Sequence, residues 1–183
     1  VIFYHETSAS STCEMIAEIL QYIGGNLKLR PLEADALYAG IMIDTNNFLT
    51  KTGVRTFEAA AYLRRNGADV IRLRKFFRTE FTEFKIKAEA ISSAEAYLDQ
   101  FAIAICAADE ADSPTVLAAK VANELLDVKN IKASFVLTEF NNKIYISARS
   151  IDEVNVQVVM EKLGGGGHLS VAGCQLEDIT IEE

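Results

Sequence analysis

The chain has 183 residues, half of them hydrophobic and 24% charged, and 26 acidic side chains outnumber 18 basic ones for a net charge of −8. That length and composition fit one domain or two small ones with a real core, and an acidic balance is a poor match for the many phosphates of a long duplex. Cys13, Cys106 and Cys174 are too far apart for a zinc site and read as buried thiols of a reducing compartment. No apolar run reaches the roughly 18 residues of a membrane span, and no signal-peptide pattern is present.

Val1-Ile2-Phe3-Tyr4 reads as a strand, and the chain opens inside it without a methionine. With Ile179 to Glu183 closing the other end without a tail, the expectation is a piece of a longer protein. Ser8 to Thr12 offers helix N-caps, Glu14 supports a helix start, and Ile16, Ile19, Leu20 and Ile23 recur at helical spacing up to Gly24-Gly25. A second helix is expected from about Glu33 to Ile43, after Pro31, and a third from Arg55 to Asn66, ended by Gly67. The stretch from Asp69 to about Gln100 reads as two more helices, the second a connector, with Arg64, Arg65, Arg72, Arg74, Lys75 and Arg78 on a solvated face.

From Phe101 the pattern changes to short strands. Phe101 to Cys106 is an apolar run of strand type, Ser113 to Leu126 a helix with Pro114 in its first turn. Ala133 to Thr138 and Lys143 to Ala148 form a hairpin about Asn141 and Asn142. A helix from about Val154 to Leu163 leads to Gly164-Gly165-Gly166-Gly167-His168, and Cys174 to Ile181 supplies a last strand. The expected fold class is α/β and bilobal, with a mainly helical half over 1–92 and a compact α/β half with a mixed sheet over 93–183.

Three places carry candidate chemistry. Four glycines in a chain that has only ten free successive backbone N–H groups to line an anion-binding concavity, with His168 behind them as a donor. Arg149, at the end of a strand, is suited to bidentate phosphate binding. Asp44 closes an apolar helical run, where it is either a turn-capping carboxylate or an oxygen ligand for a hard cation. Arg55 puts a positive charge at a helix N-terminus, which calls for an anion or a carboxylate to balance it.

The run Ser147-Ala148-Arg149-Ser150, then Asn155-Val156, the Gly164 to His168 motif and Ala172-Gly173 resembles the DHH-associated domain of the DHH phosphoesterase family. Ser10 to Glu14, Gly40 to Phe48 and Arg55 to Ala60 are similar to the C-terminal part of the DHH catalytic domain, and the GdpP-type branch fits best. The resemblance implies a metal-dependent phosphodiesterase that hydrolyses cyclic-di-AMP to pApA with two manganese ions. Within it Asp44 is a metal ligand, and Arg149, Gly164, Gly165, Gly166, Gly167 and His168 bind or act on the scissile phosphate, His168 as the catalytic group, with Arg55 a further substrate-binding candidate. The Asp-His-His signature is absent from this sequence, so the metal site is incomplete here and the chain is expected to be inactive alone.

The implied partners are a cyclic or short linear dinucleotide and no long duplex, with a homodimer among the expectations. The segment is expected to be cytoplasmic, without membrane contact of its own, in a membrane-anchored parent protein. Two alternatives stay open: a family nuclease acting on short oligoribonucleotides or single strands, and a non-catalytic nucleotide or RNA binding module such as those accompanying alanyl-tRNA synthetases.

Overall fold

The computed structural model describes residues 4–23, 28–151, 153–177 and 179–181. Residues 1–3 of the expected opening strand and the glycine stop at 24–25 lie outside them. The chain forms two compact units, Val1–Arg78 and Thr79–Glu183.

The first unit is helical among its described residues: α1 (Thr12–Tyr22), α2 (Pro31–Asp44), α3 (Val54–Arg65) and α4 (Val70–Phe76). Ser11 caps α1, its hydroxyl accepting the Glu14 N–H at 3.0 Å, and the buried Glu14 carboxylate accepts the backbone N–H and the hydroxyl of Ser10. The core is built from small side chains, with Ala17, Ala34 and Ala59 around Ile41 and Leu63. Small residues let helices close on one another, and Gly40 shows how far this goes: a Cβ there would lie 2.3 Å from Cys13 Sγ on α1.

One buried charge ties α2 to α4. Asp35 is 2% exposed, and its carboxylate accepts the Asp69 N–H at 2.7 Å and an N–H of the Arg72 guanidinium. Arg72, read from sequence as part of a solvated face, thus holds Asp35 below the usual carboxylate range, and the Asp69 N–H adds to the effect.

The second unit is a six-stranded mixed sheet with helices on both faces. It runs α5 (Phe81–Ser92), β1 (Glu95–Tyr97), β2 (Phe101–Ile105), α6 (Pro114–Leu125), β3 (Ala133–Phe140), β4 (Lys143–Ser150), α7 (Val156–Lys162), β5 (Gly166–His168) and β6 (Val171–Glu177). The strand order is β1-β2-β3-β4-β6-β5. Only β2 and β3 run parallel, joined through α6, as a parallel pair requires a crossover. Asn141 and Asn142 both take positive φ, 53° and 56°, which suits the two-residue turn of the β3–β4 hairpin.

Side chains alternate between the two faces of each strand. Ala102, Ala104 and Val136 meet α6 on one face, where the Ser134 hydroxyl donates to Ala122 O at 2.6 Å. On the other face Ala133, Ala148, Ala172 and Cys174 pack with Val156 and Met160 of α7.

The expected α/β, two-part architecture is the one observed, with two corrections to its elements. The connector helix α5 packs against α6 and β2, and the second compact unit takes it in from Thr79. Residues 95–97, expected inside a helix, form an antiparallel edge strand on β2, too short for its period to show. The second half of the glycine run is itself a strand, β5, paired with β6.

Asp35 yields a sign-determined pH dependence. A carboxylate whose folded pKa lies below its unfolded value stabilises the fold above about pH 4 and loses that contribution as pH falls through the folded pKa. Urea midpoints should therefore drop as pH is lowered from about 4 towards 2, and Asp35→Asn should flatten that limb. Arg72→Met, which strands the Asp35 carboxylate, should lower the urea midpoint at neutral pH.

Candidate functional site

In the second unit the register places Arg149 of β4 opposite Val171 of β6, and Val171 opposite His168 of β5. Residues directly opposite in an antiparallel pair share a face, so Arg149, Val171 and His168 form one row across three strands. That face is the α6 face, which α6 covers over β3 and β4, with α5 against β2. Over β6 and β5 it stays open, with Val171, His168 and Gln175 exposed.

Arg149 is half-buried, and its Nη1 donates to the carbonyl of Ala148 at 2.9 Å. No ion pair among the described residues involves it. Burial alone lowers its pKa, yet a guanidinium stays charged at neutral pH. A partly desolvated cation without a counter-charge is an anion-binding group in waiting.

The glycine run does two jobs. Gly164, at φ 78°, donates to Glu161 O at 3.1 Å and Gly165 donates to Met160 O at 2.8 Å. This is the Schellman closure of α7, in which the two residues after the C-cap satisfy its last carbonyls. Those two N–H groups therefore cap a helix and do not line an anion nest, a correction to the expectation of four free donors.

The next glycines let β5 lie tight on β6. A Cβ at Gly165 would sit 2.2 Å from Gly173 O, and one at Gly167, where φ is 147°, would sit 2.5 Å from Ala172 Cα. Gly166, opposite Gly173 and on the Arg149 face, has nothing within 4 Å of such a Cβ. With Ser147 opposite Gly173 in turn, the surface beside Arg149 and His168 has almost no side chains over it. Val171 and Gln175, which sequence reasoning did not single out, follow from the alternation of the β4–β6 strands counted from Arg149.

In the first unit Asp44 is the last residue of α2 and is exposed. Its carboxylate adds to burial in raising the Cys13 thiol pKa, which marks it as a neighbour of the start of α1. Thr45, fully buried, closes the helix: its hydroxyl donates to Ile41 O at 2.6 Å and accepts the Phe48 N–H at 3.0 Å. Asn46, Asn47 and Phe48 then take φ of 46°, 57° and 67°, a left-handed turn that asparagine tolerates and phenylalanine does not. Phe48 is held there by Tyr38 and Phe57, at ring separations of 5.8 and 5.7 Å.

Asp44 has the oxygen chemistry of a manganese ligand. Among the described residues, however, no three His, Cys, Asp or Glu side chains converge, so these residues do not by themselves fit a metal centre.

Arg55 opens α3 and is engaged by carboxylates. Its Nε and Nη2 donate to Glu18 at 2.7 and 2.6 Å, and Nη1 donates to Glu6 at 3.0 Å. Glu18 first and Glu6 second raise its pKa. Glu6 is itself drawn down to about 2, by the Ser8 N–H and hydroxyl ahead of Arg55. The balancing anion expected at this position is therefore supplied from within the unit.

A mixed sheet closed by a glycine-tightened terminal hairpin, carrying a half-buried arginine with no ion pair among the described residues, defines an α/β domain. Residues 98–183 match the DHHA1 domain family, the DHH-associated domain. Over its full length the chain is 47% identical to the cyclic-di-AMP phosphodiesterase PdeA of Listeria monocytogenes serotype 1/2a (strain 10403S) and covers 28% of it. It is 44% identical to the cyclic-di-AMP phosphodiesterase GdpP of Geobacillus thermodenitrificans (strain NG80-2), again covering 28%. The chain thus spans less than a third of these relatives. A solved structure, an exopolyphosphatase-related protein from Bacteroides fragilis, shares the fold at TM-score 0.84 and 22% identity, over 99% of this chain and 58% of that one.

The two roles of the glycines separate on substitution. Gly165→Ala and Gly167→Ala, which drive a Cβ into β6, should each cost at least about 2 kcal/mol by urea unfolding. Gly166→Ala should cost less than about 0.5 kcal/mol.

Proposed function

We propose that this chain is the phosphate-gripping part of a metal-dependent phosphodiesterase that opens cyclic-di-AMP to linear pApA. The observation that carries the reading is Arg149, a half-buried cation with no ion-pair partner among the described residues. It shares a cross-strand row with His168 on an open sheet face. The whole-length identity to proteins named cyclic-di-AMP phosphodiesterases supports the choice of substrate.

Arg149 binds non-bridging oxygens of the scissile phosphate, its fixed fork of donors setting the phosphate's orientation. The bare backbone at Gly166 and Gly173 lets the dinucleotide lie close to the sheet. His168 donates a hydrogen bond to the phosphate or to the leaving ribose oxygen.

Two manganese ions belong to the reading, with Asp44 as one ligand. Since the described residues do not complete a metal site, no step is derived through the ions, and the chain alone is expected to turn over no substrate. Anchoring of the parent protein in a membrane and a cytoplasmic position for this segment are parts of the same reading. No described helix is long and apolar enough to cross a bilayer.

Calorimetric titration of the chain with cyclic-di-AMP, pApA and a short RNA tests the assignment. Cyclic-di-AMP should bind most tightly, and Arg149→Gln should weaken it at least tenfold, a loss of about 1.4 kcal/mol, with unfolding unchanged. Preference for the RNA would favour the nuclease alternative. Manganese-dependent hydrolysis by the isolated chain, read by chromatography, would overturn the incomplete-site reading.

A further inference from the structure

Counted along β6 from Val171, the face that carries Arg149 and His168 meets Gly173 and then Gln175. Four residues of an antiparallel strand span about 13 Å, which sets Gln175 that far beyond the Arg149 row. Between the two rows the floor is Gly173, flanked by Ser147 of β4 and Gly166 of β5. A Cβ at Gly166 would meet nothing within 4 Å, so the floor is open as well as bare. A nucleotide whose phosphate sits at the Arg149 row spans this interval with its sugar and base, and the far edge of the base arrives at the Gln175 side chain. Tyr145, half-buried, lies opposite Gln175 on β4, and its ring, 6.4 Å from that of Phe140, closes this end of the floor.

The Gln175 amide is held in one orientation. Its Nε2 donates to Glu177 Oε1 at 3.1 Å, and the same carboxylate takes Lys143 Nζ at 2.6 Å. An ionised carboxylate only accepts hydrogen bonds, so the NH2 group has to be the one that faces Glu177. Lys143 first, and Gln175 after it, hold the Glu177 carboxyl below the usual range, which keeps it ionised at neutral pH. Glu177 lies two residues further along β6, on the side away from Gly173. The carbonyl oxygen, across the amide from Nε2, is therefore left on the side of the bare floor.

We propose that Gln175 is a specificity-determining residue, its carbonyl accepting the N6 amino group of one adenine of the dinucleotide while the ring lies over Gly173. This deepens the reading of Arg149 as the phosphate anchor and rests on it. Adenine presents a donor at N6 beside the acceptor N7, whereas guanine presents acceptors at both O6 and N7. An oxygen fixed towards that edge favours adenine and opposes guanine. The second N–H of Nε2 is left for N7, completing the pairing that an amide makes with adenine. A free glutamine could turn its amide over and serve either base, and the Lys143–Glu177 pair removes that choice.

Calorimetric titration of the 183-residue chain with pApA and pGpG tests the proposal. The wild-type chain should bind pApA at least about tenfold more tightly than pGpG, the discrimination that one amide–base pairing supplies. Gln175→Leu should close that gap to within about threefold, chiefly by weakening pApA. Glu177→Ala, which frees the amide to turn, should narrow it from the other side by tightening pGpG. Gln175 and Glu177 are exposed, so urea unfolding should be unchanged in both variants.

The outcomes separate the two readings. A wild-type chain that does not bind pApA, or binds it in a way that Arg149→Gln leaves unaltered, removes the phosphate anchor and the adenine contact with it. Binding that depends on Arg149 but is equal for the two dinucleotides overturns the adenine contact alone. So does a preference for pApA that survives Gln175→Leu, and a preference untouched by Glu177→Ala overturns the orienting role of the Lys143–Glu177 pair.

Discussion

The close approach of β5 to β6 is the constraint on which the rest of the second unit depends. At Gly165 and Gly167 the backbones come so near that no side chain fits between them. Gly164 and Gly165 end α7 through their N–H groups, so one short segment stops a helix, reverses the chain and adds the outermost strand. The position of His168 follows directly. It is the last residue of β5, paired with Val171 across a two-residue turn, and the register carries that pairing on to Arg149.

Two arginines of similar promise in the sequence are used in opposite ways. Arg55 is satisfied by Glu18 and Glu6, and it ties the start of α3 to α1 and to the segment before it. Arg149 sits in the sheet with no ion pair among the described residues, its charge partly desolvated. A guanidinium that has already found its counter-ions contributes to the fold. One that is left without them, at the edge of an open face, is free to take a ligand. The difference is set by what surrounds each side chain and not by the residue type.

Much of the architecture was legible because local signals were strong. Ser11 and Glu14 marked the start of α1, Pro114 the first turn of α6, and the paired asparagines the β3–β4 hairpin, while Pro31, read as lying before α2, is its first residue. Weak signals failed for physical reasons. Three residues are too few to show a period, so β1 was lost among helix formers. Glycines carry no hydrophobic pattern at all, so β5 read as a loop. Arg72 looked like one charge among many on a helix face, since its partner Asp35 is 37 residues away in sequence.

By itself the sequence determined the α/β class and most of the helices and strands, and it singled out Arg149, His168 and the glycines beside them as candidates to meet a phosphate. It did so because caps, turns and side-chain chemistry are local properties. Only the tertiary structure decided which glycine N–H groups were already spent on α7, which arginine had a counter-ion, and which side chains share a face with Arg149. Those outcomes depend on strand register and on partners distant in the chain, where the identity of a residue says nothing about its neighbours.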